Sequence, residues 1–326
     1  MHDSVRALLT GIMDYAGLFP PAKLSMEDAI QNYARYRKGE YAWMLDRFIC
    51  PVSRLHELDA HAGLFEEQPP FRFSLLPRKA DSGPQFVEMV REDVDTINRF
   101  LDSCKGLVEV DVLELKLPDN VTIQADPAAI EALVTSTSDL MGSLDVQTVR
   151  PFFEASFTGS WEKNLDAVIN GIAIHNEALS DSKVMPAGFK LRCGGVEPEA
   201  FPSAEQVAQV VSTARNHKVL MKATAGLHHP FRHDNEQMSV KEHGFFNLIG
   251  AVLIAYGKSI ALREIKYIIA DENRKHFLFY PDAFAWSGKK IVMDQIEEGR
   301  RIGFASYGSC SFEEPLEDLK DLGLLP

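Results

Sequence analysis

Short runs of β-forming residues recur along this chain, each followed by a segment with helical spacing. Candidate strands occupy Gly11–Leu18, Ala42–Val52, Phe71–Leu76, Leu107–Leu115, Val149–Ala155, Pro186–Cys193, Val219–Thr224 and Gly303–Tyr307. Between them, Ser25-Met26-Glu27-Asp28 opens a helix like a capping box, and Ile30, Tyr33 and Ala34 continue it. Phe86, Val90, Val94, Ile97 and Leu101 form one apolar stripe, and Leu165, Val168, Ile169 and Ile172 form another. Ser203 starts a further helix carrying Val207, Val210 and Val211. Such alternation demands a parallel sheet. Eight strands predict an α/β chain folded as a single (β/α)8 TIM barrel over residues 1–326. A doubly wound open sheet is the alternative, because periodicity alone does not decide closure.

One connection breaks the rhythm. Residues 227–300 separate the seventh and eighth strands and contain helical patterns at Phe245–Tyr256 and Leu262–Ile269. They predict a helical insertion, serving as a lid, an oligomer contact or simple core cover.

With 45% hydrophobic and 25% charged residues, the chain has the composition of a globular protein with a substantial core. A formal net charge of -13 argues against nucleic acid or an anionic membrane as partner, since both reward clustered Lys and Arg. A small anionic metabolite in a locally basic pocket stays compatible, and homo-oligomerisation stays open. The N-terminus lacks a signal-peptide profile, and the stretch Phe245–Tyr256 is too short to span a bilayer and includes Asn247, so the expected location is the cytoplasm. Cys50, Cys104, Cys193 and Cys310 are widely spaced, which signals neither a zinc site nor a disulfide framework and favours buried reduced thiols. No metal or other cofactor is expected.

Strand side chains alternate between two faces. If Phe189, Leu191 and Cys193 face the helices, Lys190 and Arg192 point inward. If Met221 and Ala223 face the helices, Lys222 and Thr224 point inward. The same parity turns Glu109 and Asp111 inward from the fourth strand, and Arg150, Phe152 and Glu154 inward from the fifth. A structural barrel interior would hold layers of Val, Ile and Leu instead. Charges in such a place are costly unless compensated, and ion pairs there add little over apolar packing. The pattern therefore favours a functional polar cluster.

Its chemistry suits Schiff-base formation. An amine attacks a carbonyl only when unprotonated, and neighbouring cations lower a lysine's pKa. Arg192 and Lys222 would supply that field for Lys190, while Asp111 and Glu154 would transfer protons. Gly194, Gly195, Gly226, Gly308 and Ser309 follow or end the last three strands, where backbone N–H groups can cradle a phosphate or carboxylate. Glycine is equally the commonest turn residue. Asp14 reads as a site residue or a turn former at the exit of the first strand.

Read strand by strand, the chain resembles the deoxyribose-phosphate aldolase group of class I aldolases. Ile12-Met13-Asp14-Tyr15-Ala16-Gly17-Leu18 is similar to that family's I-D-x-T-x-L, and Phe48-Ile49-Cys50-Pro51 to its A-x-C-V-x-P. Glu109-Val110-Asp111-Val112 resembles its E-(V/I)-D strand, and Phe152-Phe153-Glu154 its I-I-E. Tyr307-Gly308-Ser309-Cys310-Ser311 resembles its phosphate-binding G-x-S-S. The resemblance implies that Lys190 is the Schiff-base lysine, Lys222 the lysine that lowers its pKa, and Asp111 the proton shuttle. The chain departs from the family where K-T-S-T-G reads Lys190-Leu191-Arg192-Cys193-Gly194, and where Arg150 replaces a lysine. Lys222-Ala223-Thr224-Ala225-Gly226 is itself similar to K-T-S-T-G, so the two lysine roles are interchangeable. A separate family sharing the fold fits the same strings.

Three functions follow. The first is an aldolase-like lyase acting on a small phosphorylated or carboxylated carbonyl compound. The second is a metal-dependent hydrolase or lyase using the His228 and His229 region, although adjacent histidines on an extended segment point opposite ways. The third is a non-catalytic barrel that binds an anionic metabolite, with Arg150, Arg192 and Thr224 among its contacts.

Overall fold

The computed structural model describes residues 1–66, 68–179 and 183–326. Its strands in chain order are β1 (Met13–Tyr15), β2 (Leu45–Pro51), β3 (Phe71–Leu76), β4 (Val108–Lys116), β5 (Arg150–Glu154), β6 (Gly188–Arg192) and β7 (Met221–Thr224). There follow β8 (His233–Asn235), β9 (Val240–Glu242), β10 (Phe277–Tyr280), β11 (Ala283–Trp286), β12 (Lys289–Val292) and β13 (Phe304–Ser309). The helices are α1 (Asp3–Leu9), α2 (Met26–Tyr36), α3 (Gly83–Cys104), α4 (Asp119–Thr122), α5 (Pro127–Met141), α6 (Trp161–Ala178) and α7 (Ala204–Asn216). They continue with α8 (Phe245–Lys258), α9 (Leu262–Ala270), α10 (Met293–Ile302) and α11 (Glu313–Asp321).

Eight of the strands form a closed barrel in the order β1-β13-β7-β6-β5-β4-β3-β2. Closure excludes the open sheet. All eight strands expected from the sequence are barrel strands, most of them shorter than the apolar runs that signal them.

The chain divides into two compact units. The first comprises Met1–Lys23, Gly39–Asp46 and Leu191–Pro326, and the second Leu24–Lys38 and Arg47–Lys190. In the second, Phe48, Phe65, Phe71, Phe73 and Phe100 pack edge to face around the outer side of β2 and β3. Ring edges meeting ring faces are the favoured aromatic geometry. Helix starts follow their local chemistry. The Ser25 and Ser82 side chains accept from the backbone N–H groups of Asp28 and Gln85, and Ser203 with Gln206 forms a full capping box. α5 and α6 approach closely at Gly171, where a Cβ would lie 2.7 Å from the Cβ of Ile130.

In the first unit, β1 pairs with β13 and β13 with β7, so Asp14, Gly308 and Thr224 lie side by side. The segment between β7 and β13 is not purely helical, contrary to the sequence expectation. It contains the β8–β9 hairpin and an antiparallel sheet in the order β10-β11-β12, as well as α8, α9 and α10. Phe277, Phe279 and Phe284 cluster across that sheet, and Phe279 also meets Phe246 of α8.

α8 is buried along Phe245–Ala255, which explains its apolar sequence without a membrane. Among the described residues, no helix is long and apolar enough to cross one. Asn247 sits inside this helix, fully buried. Its Nδ2 donates to the carbonyls of Ile268 (2.7 Å) and Asp271 (2.8 Å), and its Oδ1 accepts from the Arg232 N–H (2.8 Å). One amide therefore ties α8 to the end of α9 and to the loop before β8. Asn247→Ala strands these groups and should lower stability by about 1–3 kcal/mol per group left unpaired. Urea denaturation checks this, and an unchanged midpoint would contradict the role.

Candidate functional site

The sequence expects a simple alternation along β4, and the structure departs from it at one residue. β3 and β4 pair as Arg72 with Glu109 and Phe73 with Val110, then slip, so that Ser74 meets Val112 and Leu75 meets Leu113. Asp111 is the extra residue of a β-bulge. A one-residue slip reverses which side chains share a face. Beyond the bulge, Val112 and Glu114 take the side that Glu109 occupies before it. Glu114 then lies beside Phe152 on β5, two residues before Glu154, and Glu154 pairs with Lys190 on β6.

The result is a buried cluster within the second unit. Lys190 Nζ lies 3.0 Å from Glu114 Oε2 and 2.9 Å from Glu154 Oε2. Ser74 Oγ donates to Glu114 Oε1 at 2.6 Å. Lys190 is 3% exposed, and Ser74, Glu114 and Glu154 are buried with it. The sequence reading set the cations Arg192 and Lys222 and the carboxylates Asp111 and Glu154 around Lys190; of these, Glu154 lies within ion-pair distance, and Glu114 joins it.

Asp111 is placed elsewhere, which corrects its expected position beside Lys190. Arg47 Nε and Nη2 donate to its two oxygens at 2.5 and 2.7 Å, and Arg72 donates as well. Burial would raise its pKa, but the Arg47 and Arg72 guanidinium groups outweigh that and hold it below the usual carboxylate range. Three strand residues, roughly 10 Å of rise, separate Asp111 from Glu114. Glu109 is exposed, with its carboxylate 3.7 Å from Arg72. Arg150, paired with Val112, belongs to the same early level, where burial first and then the Arg47 charge lower its pKa.

Sequence reasoning missed Ser74 and Glu114. A signal was present: Val108, Val110 and Val112 alternate, but Leu113 and Leu115 continue in the opposite phase. Two adjacent apolar residues at that junction mark the bulge.

A second cluster lies in the first unit. Lys222, 0% exposed, donates to Asp14 Oδ2, and Ser306 Oγ donates to the same oxygen at 2.6 Å. Asp14 is a fully buried strand residue, which removes the turn-forming alternative. Arg300, behind it, gives hydrogen bonds to the carbonyls of Phe304, Ala305 and Thr10. Burial lowers Arg300 to about 10 against the opposing pull of Asp46 and Asp14.

The glycines after β6 and β7 have a packing reason. A Cβ on Gly194 would lie 2.9 Å from the Gly226 Cα, and one on Gly226 would lie 2.8 Å from the Cys193 carbonyl. Gly226 also has φ +63°, a left-handed conformation that favours glycine. Between them, the Cys193 N–H donates to the Thr224 carbonyl at 2.8 Å. A Cβ on Gly195 would touch Ala200. Arg192 and Thr224 end their strands half-buried, Gly308 sits within β13, and Ser309 Oγ donates to the Ser311 carbonyl at 2.7 Å.

His228 and His229 turn to different carboxylates on α11. His228 Nδ1 lies 3.0 Å from Glu314 Oε2, and His229 Nδ1 lies 2.7 Å from Asp318 Oδ2. His228 Nε2 lies 3.9 Å from Cys310 Sγ. Burial pulls the His228 pKa down, but Cys310 and Glu314 outweigh it and raise it to about 9. Among the described residues, no group of three or more His, Cys, Asp or Glu side chains is arranged to hold a metal ion. The four cysteines are free and buried, and burial pushes the Cys193 thiol up to about 12.

The sequence matches no protein-family model, and no curated protein matches it. Neither comparison supports the aldolase resemblance, and the closed barrel shows the fold alone.

The buried lysine pairs yield a stability test. Lys222→Met leaves Asp14 as a buried charge and should cost about 3–5 kcal/mol. Adding Asp14→Asn removes that charge and should recover much of the loss. A double variant no more stable than Lys222→Met would show that the pair is not the source.

Proposed function

We propose that the protein is an aldolase-like lyase in which Lys190 forms a Schiff base with a small phosphorylated or carboxylated carbonyl compound. The observation that carries this reading is the buried Lys190 amine held between Glu114 and Glu154. The cluster brings an amine together with two carboxyl groups that can take and give protons.

Those are the groups that imine chemistry needs. The carboxylate takes the proton from the ammonium, and the amine pair forms a bond to the carbonyl carbon while the C=O π pair moves to oxygen. The carboxyl protonates that oxygen, takes back a proton from the carbinolamine nitrogen and passes it to the hydroxyl, which leaves as water while the nitrogen pair forms the C=N bond. In cleavage, a hydroxyl proton passes to a carboxylate, and the pair of the breaking C–C bond moves into the iminium to give an enamine. Ser74 orients Glu114 through its 2.6 Å hydrogen bond. Glu114 takes the proton-transfer part that the sequence reading gave to Asp111.

Lys222 is the other lysine with this potential, and trapping separates the two. Incubation with a panel of small phosphorylated and carboxylated aldehydes and ketones, reduction with borohydride, and peptide mapping should place an adduct on Lys190. Lys190→Arg keeps the charge and removes the primary amine, so the adduct should vanish. Glu154→Gln should slow trapping by on the order of a hundredfold. An adduct on Lys222 alone would move the nucleophile there. No lysine adduct with any compound, alongside ligand-induced melting shifts, would establish an anion-binding barrel instead.

A further inference from the structure

Cys310, His228 and Glu314 lie together in the first unit and take no part in the Lys190 chemistry. Cys310 directly follows β13, His228 stands in the loop after β7, and Glu314 lies in the first turn of α11. Cys310 Sγ is 3.9 Å from His228 Nε2, and His228 Nδ1 is 3.0 Å from Glu314 Oε2. Each imidazole nitrogen thus faces a different partner, thiol on one side and carboxylate on the other. That order of groups is the logic of an activated nucleophile: an attacking atom, an imidazole in reach that exchanges a proton with it, and a third group that orients the imidazole. Neighbouring His229 is turned to Asp318 and does not compete for either partner.

We propose that Cys310 is a nucleophilic thiol activated by His228 and Glu314, and that it adds to small, uncharged carbon electrophiles, an aldehyde being the simplest. In the step, the sulfur pair forms an S–C bond to the carbonyl carbon, and the C=O π pair moves to oxygen. The His228 imidazolium, stabilised by Glu314, gives its Nε2 proton to the new alkoxide, and the thiol proton takes its place on Nε2. The product is a thiohemiacetal, formed without oxidant or leaving group and released by the reverse path. The size limit comes from burial, since Cys310 is 8% exposed. The charge limit comes from α11, whose exposed face begins Glu313, Glu314 and continues Glu317, Asp318. These carboxylates repel an anionic electrophile.

The His228 proton affinity, raised to about 9, keeps the imidazolium at pH 7, the form that supplies the Nε2 proton in this step. The molecule also carries its own control. Cys104 is 7% exposed, nearly the same as Cys310, but its sulfur lies beside the Ser103 hydroxyl rather than an imidazole among the described residues. Burial raises its pKa. Accessibility alone therefore predicts equal reactivity, and activation predicts unequal reactivity.

The experiment is timed alkylation of the native chain at pH 7, read by peptide mapping. Iodoacetamide should label Cys310 more than tenfold faster than Cys104. Iodoacetate, the anionic analogue, should label Cys310 more slowly than iodoacetamide by a larger factor than it does Cys104. His228→Gln, with folding verified by near-UV circular dichroism, should slow Cys310 labelling by on the order of a hundredfold. Propionaldehyde should protect Cys310 from labelling. Equal rates for Cys310 and Cys104 in the wild-type chain would overturn the proposal even if the variant fails to fold. So would His228→Gln labelling at the wild-type rate. Thiohemiacetals are not fixed by borohydride as imines are, so this result is independent of lysine trapping.

Discussion

Charge placed on strands inside a closed barrel must be matched, because the water that would solvate it is gone. The matching here is done across hydrogen-bonded neighbours. Lys190 on β6 meets Glu154 on β5 at the same register, and Glu114 on β4 completes the group. Lys222 on β7 meets Asp14 on β1, with β13 between them supplying Ser306. In each case the register of the sheet is also the register of the charges. A slip of one residue would carry a carboxylate to the helix side and leave an ammonium unmatched.

That dependence gives the β4 bulge its importance. Before it, the strand serves a group at the early end of the strands, where Arg47 and Arg72 hold Asp111. After it, the same strand serves Lys190 through Glu114. Without the extra residue, continued alternation would put Leu113 and Leu115 on the charged side and Glu114 among the aromatic side chains. The bulge lets one strand present carboxylates at two levels while its apolar residues still face the helices. Bulges are known to re-aim side chains in this way.

The eight barrel strands were legible because each is an apolar run bounded by helical patterns, a signal local to its own residues. The two lysines were legible for the same reason, as polar residues among apolar neighbours. What pairs with them was not. Asp14 and Lys222 are 208 positions apart in the chain, and no local spacing connects them. Motif matching selected Asp111 through Glu109-Val110-Asp111, yet the phase change at Val112-Leu113 moves the relevant carboxylate to Glu114. The segment from β8 to β12 misled for another reason. Its strands are three or four residues long, so they carry too few residues to show period two. His228 and His229 drew attention as metal ligands by composition, whereas their partners lie on α11, more than eighty positions later.

The two lysine groups differ in a way that bears on chemistry. Around Lys222, an aspartate oxygen accepts both from the ammonium and from Ser306, so the proton positions are tied down by donors. Around Lys190, carboxylates from two neighbouring strands approach one ammonium, and Ser74 binds one of them. A proton leaving that ammonium has two carboxylates within hydrogen-bond distance to receive it, and proton transfer to a nearby carboxylate is what frees an amine to attack. That arrangement is the ground on which Lys190 is proposed as the nucleophile.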